Sequence, residues 1–125
     1  MKKVISSADA PKAVGPYSQA IEKNGVLFLS GQIPLDPLSG QIVGNTIEQQ
    51  TQQIFKNMNA VLSAAGYSLD DVVKTTVFLT NIDDFATVNA VYGRYFTTEA
   101  PARSAVAVMA LPKGAMVEIE AIAIK

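Results

Sequence analysis

The chain has 125 residues, of which 49% are hydrophobic and 17% charged, a composition typical of one globular domain spanning residues 1–125 and not of a disordered chain. Ten basic residues nearly balance eleven acidic ones, so we expect neither a nucleic-acid partner nor attraction to an anionic membrane. No apolar stretch is long enough to span a membrane or to follow the N-terminal lysines as a signal peptide, so we expect a cytoplasmic protein.

Cysteine and histidine are both absent from the sequence. Their absence excludes disulfides, a thiol nucleophile, a Ser-His-Asp triad and the usual zinc sites. An acid–base group would have to be Glu, Asp, Tyr, Lys or a bound water. A metal site built only from carboxylates stays open, although no EF-hand spacing and no phosphate-binding loop occurs.

The first predicted element is a β-hairpin. Asn24-Gly25 lies between the apolar segments 19–21 and 26–30, and both turn residues tolerate the positive φ of a tight turn. Residues 1–17 show no period and are predicted to be irregular. Residues 31–45 contain prolines and a Ser-Gly pair, which predicts a loop.

A helix follows, because apolar residues recur at spacings of three and four from Ile47 to Ala65. Asn45 or Thr46 can cap its first turn. Gly66 can adopt the left-handed conformation that ends a helix.

The second half of the chain predicts a strand at 72–79, a helix at 85–96 and two final strands at 104–109 and 116–124, separated by a turn at 111–114. The resulting order is ββαβαββ. This order predicts an α+β fold, with one mixed sheet and two helices on one face.

Several predicted strands are apolar at consecutive positions, namely 72–73, 77–79 and 121–124. Such strands are buried on both faces. Two helices on one side of a sheet cover only one face, so we expect a partner subunit over the other.

Arg103 is one of only two arginines and precedes the apolar run 104–108. A guanidinium beside apolar residues needs a partner, since burying an unpaired charge is costly. Its planar fork suits a bound carboxylate. The alternative is an ion pair with an Asp or Glu of the same chain.

Glu118 and Glu120 alternate with apolar residues, so a regular strand places both carboxylates on one face. That face is either solvated or forms part of a pocket. In a pocket, a raised pKa would let one of them accept a proton from water.

Four further positions could line a site. Ser30 and Gly31, followed by Gln32, end the second predicted strand, either as a simple strand exit or as a point where the backbone approaches a ligand. Asn89 shares a helix face with Tyr92, a predicted core residue, and its amide could serve a cap or a ligand. Tyr17 is either core or pocket wall.

Six short motifs occur in order along the chain and together resemble the Rid family of reactive-intermediate deaminases, in particular its RidA subgroup. The resemblance runs from about residue 10 to residue 125. The motifs are Gly-Pro-Tyr-Ser-Gln-Ala at 15–20, Ser-Gly-Gln-Ile-Pro at 30–34, Val-Lys-Thr-Thr-Val-Phe at 73–78, Asp-Phe-Ala-Thr-Val-Asn at 84–89, Pro-Ala-Arg-Ser at 101–104 and Val-Glu-Ile-Glu-Ala-Ile-Ala at 117–123.

The resemblance implies a fold like that of bacterial chorismate mutase and a homotrimer with active sites between subunits. It implies hydrolysis of 2-iminobutanoate and 2-iminopropanoate to 2-keto acids and ammonia. Imines hydrolyse readily, so this reaction needs positioned water and one proton transfer, and we expect neither a metal nor a cofactor.

The resemblance also assigns roles by position. Arg103 would bind the substrate carboxylate and Glu118 would activate or orient water. The Gly31 amide and the Ala105 carbonyl would contact the substrate nitrogen or the attacking water. The cleft would be lined by Tyr17, Ser30 and Asn89.

One departure from the family pattern is Ala105, where many relatives have cysteine. A backbone carbonyl contact survives this change, but a thiol-dependent role does not. The alternative to an enzyme is a trimeric stress, chaperone-like or translation-inhibiting protein. Chorismate mutase activity is a weaker alternative. A shared fold does not imply a shared function, and a dicarboxylate substrate would need more than one clear arginine to bind it.

Overall fold

The computed structural model describes residues 1–125, and its helices and strands follow the predicted order with one strand added at the N-terminus. Short 3-10 turns join several of these elements. The elements are β1 (Lys3–Ile5), β2 (Ala20–Lys23), β3 (Val26–Gln32), α1 (Ile47–Ala64), β4 (Val72–Leu79), α2 (Phe85–Tyr95), β5 (Ala102–Ala107) and β6 (Val117–Ile124).

The six strands form one mixed sheet in the order β1-β2-β3-β6-β4-β5. Neighbouring strands are antiparallel except for β4 and β5, which are parallel and are connected through α2. The mixed sheet predicted from the sequence is confirmed. The last strand, β6, lies in the middle of the sheet, between β3 and β4.

The predicted hairpin and first helix are also confirmed. Asn24 and Gly25 have φ values of 53° and 76° and join β2 to β3. Of the two proposed caps, Thr46 is the one used, and its side chain accepts a hydrogen bond of 3.2 Å from the Gln49 amide. Gly66 follows α1 with a φ of 78°.

Several strands differ in extent from the prediction, and one strand was not predicted. Strand β1 lies in the segment predicted to be irregular. Because it is only three residues long and only Ile5 is buried, it has no alternating apolar pattern that could predict it. Strand β3 continues to Gln32, past a register shift that follows Leu29. Strand β5 starts at Ala102, two residues early, because this edge strand is held by pairing with β4 and lacks a continuous buried pattern of its own.

Both helices cover the same face of the sheet. On β6 the residues that face them are fully buried, whereas the alternate residues face away and are half-buried or exposed. The uncovered face, which we call the open face, carries apolar side chains from four strands. These side chains are Val26, Phe28, Phe78, Val106, Ile122 and Ile124.

The open face leaves Phe28 50% and Ile124 46% exposed, although the strand sequences are apolar on both sides. A single chain therefore does not bury the second face of its own sheet. Neither helix combines the length and the apolar character that crossing a membrane requires.

Candidate active site

Arg103 lies on the edge strand β5 and faces the side of the sheet covered by the helices, directly opposite the buried Thr75 of β4. Its Nη1 donates a hydrogen bond of 2.7 Å to Oδ1 of Asn89. Its guanidinium carbon lies 4.8 Å from the centre of the Tyr92 ring and 5.2 Å from that of the Phe85 ring. Helix α2 therefore supplies three side chains around this cation.

No carboxylate of the chain pairs with Arg103. The one ion pair in the molecule joins Arg94 to Glu48 at 3.4 Å and is largely exposed. The ion-pair alternative for Arg103 is therefore excluded within one chain. Of the five N–H donors of a guanidinium, only the one bonded to Asn89 has a protein partner.

Glu118 lies on β6 and points to the open face, next to Glu120 on the same side. Burial raises the pKa of the Glu118 carboxyl above its ordinary value, and the negative charge of Glu120 adds to the rise. Because a raised pKa brings a carboxyl closer to neutral pH, Glu118 is the carboxylate of this strand suited to exchange a proton.

Gly31 allows the Glu118 side chain to lie directly against β3. A Cβ atom at Gly31 would sit 2.8 Å from Cδ of Glu118, too close for two carbon atoms. The preceding Ser30 donates from its hydroxyl to the Ser18 carbonyl at 2.6 Å. The glycine thus marks a close contact with the Glu118 side chain in the last part of β3, which ends at Gln32.

These residues share a pocket of about 530 Å³ at the edge of the open face. Tyr17 lies at its wall and is 53% exposed, so the core alternative for this residue is wrong. Glu120 also lines the pocket, as do two lysines that the sequence did not single out, Lys12 and Lys113.

The structure does not bring Arg103 and Glu118 together within one chain. Strand β4 separates their two strands in the sheet. Opposite Arg103 lies Thr75, which is buried under the helices, whereas opposite Glu118 lies Phe78 on the open face. The predicted site residues therefore form two groups on opposite faces, one with Arg103, Asn89 and Ala105 and the other with Tyr17, Ser30, Gly31 and Glu118.

Gln19 is a site-shaping residue that sequence reasoning missed. It is only 5% exposed, and its Nε2 donates to the carbonyls of Ser7 at 3.1 Å and Pro11 at 2.8 Å. Its Oε1 accepts from the Ser7 amide at 2.6 Å, so Gln19 holds the N-terminal segment beside the pocket. The sequence signal for this role is the polar amide of Gln19 immediately before the apolar start of strand β2.

The roles of Phe85 and Tyr92 were also recognised only in part. The helical pattern places both on the buried face of α2, and Tyr92 is indeed buried. Their contact with Arg103 depends on a strand that follows in the sequence, so the pattern could not show it. No group of three or more acidic side chains lies close enough together to hold a metal ion.

Comparisons with known proteins agree with this architecture. The sequence profile of the family described as Endoribonuclease L-PSP matches residues 7–125. The human 2-iminobutanoate/2-iminopropanoate deaminase is 50% identical over 125 residues, which cover 100% of this chain and 91% of the human protein. A RutC family protein of Pyrococcus horikoshii is 54% identical over 125 residues, covering 100% of this chain and 99% of that protein.

Among solved structures, YyfA of Yersinia pestis, described as a protein of unknown function of the conserved Rid family, has a TM-score of 0.97 and 56% identity over the full length of both chains. The mixed sheet with two helices on one face is therefore the fold of a small α+β protein of the Rid type. The chain belongs to the Rid family, whose profile carries the endoribonuclease L-PSP description.

Proposed function

We propose that this protein is a hydrolytic deaminase of 2-imino acids and their enamine forms, with 2-iminobutanoate and 2-iminopropanoate as substrates. The observation that carries this proposal is the state of Arg103, which is fixed by α2 but pairs with no carboxylate of its own chain. A planar cation with free donors is suited to a carboxylate ligand. The relation to the human imine deaminase supports the choice of substrate.

In the proposed reaction, Arg103 holds the substrate carboxylate through two parallel hydrogen bonds. Glu118 takes a proton from water as the oxygen adds to C2 of the imine, giving a carbinolamine. The protonated Glu118 returns this proton to the nitrogen, which leaves the carbinolamine neutral. Glu118 then takes the proton of the new C2 hydroxyl and passes it to the nitrogen as the C–N bond breaks, so ammonia leaves and the keto group forms. One water is consumed, no electrons are transferred, and the glutamate is regenerated, so this chemistry requires neither a metal nor a cofactor.

The remaining positions take supporting roles. The Gly31 amide and the Ala105 carbonyl contact the nitrogen end of the substrate or the attacking water. The side chains of Tyr17, Ser30 and Asn89 line the cleft. Glu118 and Gly31 are already in contact, which supports placing the water beside this pair.

We propose further that the active unit is a homotrimer with sites between subunits. Arg103 and Glu118 lie on opposite faces of one sheet, so a site that contains both must combine two copies of the chain. The apolar open face supports the same assembly, because burying it would remove a large hydrophobic surface from water.

A coupled assay tests the proposed activity. Threonine dehydratase and threonine generate 2-iminobutanoate in solution, and the initial rate of 2-oxobutanoate release is measured with and without the purified protein. We expect faster release with the wild type and no acceleration with Arg103→Ala. Equal rates with and without the wild type would contradict the proposal and favour the non-catalytic alternative, a chaperone-like or translation-inhibiting protein.

The description of the family profile makes RNA cleavage a second candidate. The net charge of −1 and the absence of histidine weigh against it, because RNA binding relies on basic residues and RNA cleavage commonly uses histidine as its acid and base. Incubation with single-stranded RNA decides between them. We expect intact RNA, and cleavage that is lost in Arg103→Ala would instead support a nuclease.

A further inference from the structure

Helix α2 forms a cradle around the Arg103 guanidinium. Phe85, Asn89 and Tyr92 follow one another at spacings of four and three, so they share one face of the helix. The two rings lie 5.2 Å and 4.8 Å from the guanidinium carbon, and Asn89 accepts the hydrogen bond at 2.7 Å. The aromatic rings restrict the tilt of the guanidinium, and the amide restricts its rotation.

The Tyr92 ring is in turn fixed from inside the protein. Its hydroxyl forms a hydrogen bond of 2.7 Å with Oγ1 of Thr75, which is 0% exposed. Thr75 lies on β4 directly opposite Arg103 on β5. A buried threonine, a tyrosine and an arginine therefore form one continuous chain of contacts from the core to the cation.

We propose that Thr75 and Tyr92 are positioning residues, which set the orientation of Arg103 for the substrate carboxylate. This inference rests on the proposed function for the identity of the ligand. A bidentate pair requires both guanidinium donors to lie in the plane of the carboxylate. Fixing that plane before binding lowers the ordering cost on association, so the Thr75–Tyr92 hydrogen bond contributes to affinity without touching the substrate.

Nothing else near Tyr92 fixes its hydroxyl. Its ring meets Phe55 edge to face, with ring centres 5.8 Å apart, and Phe96 in a tilted arrangement at 4.8 Å. These contacts hold its apolar part but leave the polar end to Thr75. Burial raises the pKa of Tyr92, while the Thr75 hydrogen bond and the Arg103 charge oppose the rise. The tyrosine thus stays neutral and acts here through its ring and its hydrogen bond.

Kinetics of two single variants test the inference. Thr75→Val keeps the side-chain shape and removes Oγ1, and Tyr92→Phe keeps the ring and removes the hydroxyl. We expect each to raise KM about 3- to 10-fold, the effect of one hydrogen bond, with kcat within about 2-fold of the wild type. The double variant should be no worse than about 10-fold, because both changes remove the same bond.

Thr51→Val is the matched control. Thr51 is also 0% exposed, and its hydroxyl donates to the Ile47 carbonyl at 2.7 Å within α1, so it makes no hydrogen bond with Tyr92 or Arg103. A purely structural effect of removing a buried threonine hydroxyl would appear in all the threonine variants. We expect an unchanged KM for Thr51→Val, and a KM raised as much as in Thr75→Val would overturn the inference.

A second measurement does not depend on catalysis. The chain has only two arginines, Arg94 and Arg103, so their side-chain NMR signals are readily assigned. We expect ring currents to shift the Arg103 protons upfield of those of Arg94, and both Thr75→Val and Tyr92→Phe to reduce that shift. Titration with 2-oxobutanoate should give a Kd raised about 3- to 10-fold in the same variants.

The two measurements separate the inference from the proposed function. If the wild type fails in the coupled assay while the Arg103 signals move in the variants, the proposed function is wrong and the positioning role stands. If the wild type is active while KM, Kd and the Arg103 signals are unchanged in both variants, the positioning role is wrong. In that case Thr75 and Tyr92 serve only the core.

Discussion

Replacing Gly31 with alanine tests whether the packing of Glu118 on β3 matters for catalysis. The new Cβ would lie 2.8 Å from Cδ and 3.1 Å from Cγ of Glu118, whereas non-bonded carbon atoms settle at about 3.5–4.0 Å. The carboxyl group must therefore move by about 1 Å. Gly31 does not have a positive φ, so alanine is compatible with the backbone and the effect should be confined to Glu118.

A displacement of this size at a catalytic group costs about 100-fold in rate, so we expect Gly31→Ala to lower kcat about 100-fold in the coupled assay. The melting temperature should stay close to that of the wild type, since Glu118 is a half-buried side chain that can rotate away. The steady-state comparison of kcat, with circular dichroism to verify folding, measures both expectations.

Gly93→Ala is the control for this substitution. Gly93 lies in α2 and a Cβ there would meet no atom within 4 Å. The change should leave kcat unaltered and stabilise the helix by about 0.5–1 kcal/mol. If Gly31→Ala is folded and as active as Gly93→Ala, then the position of the Glu118 carboxylate does not limit the reaction, and its proposed role is wrong.

Glu118→Gln should lower kcat about 100-fold with little change in KM, whereas Glu120→Gln should stay within a few-fold, and the opposite ranking would assign the proton transfer to Glu120. Since burial and the charge of Glu120 raise the pKa of Glu118, the wild-type rate should fall as pH drops through that raised pKa. Glu120→Gln should move this fall to lower pH, and an unchanged pH profile would show that Glu120 does not affect the pKa of Glu118. Arg103→Lys should keep the fold but lower kcat/KM by roughly 30- to 1000-fold, and unchanged kinetics would show that the guanidinium does not bind substrate. In light scattering, the wild type should show three times the chain mass of 13.3 kDa, and Phe28→Asp, which puts a charge on the open face, should shift it toward monomer; a stable wild-type monomer at micromolar concentration would refute the trimer.

Local sequence signals predicted the elements that local interactions determine. The Asn24-Gly25 turn, the Thr46 cap and the Gly66 stop depend on the conformational preferences of a few adjacent residues, and the structure has all three. Strand β4 was predicted with its observed bounds, because its β-branched and aromatic residues run without interruption. The alternation around Glu118 correctly predicted that this residue shares a face with Glu120.

Long-range pairing decided the rest. Strand β1 has one buried residue and exists because β2 offers it hydrogen bonds, and β5 is defined by its parallel pairing with β4. Neither the position of a strand in the sheet nor the neighbour it meets is encoded in its own periodicity.

The sequence by itself therefore determined which residues could carry chemistry, since Arg103 and Glu118 stand out by type and apolar context. Only the tertiary structure decided that they lie on opposite faces of the sheet, and that Thr75 and Tyr92 orient the arginine from the core. The physical reason is that side-chain direction follows from strand order and pairing, which bring together residues far apart in the chain.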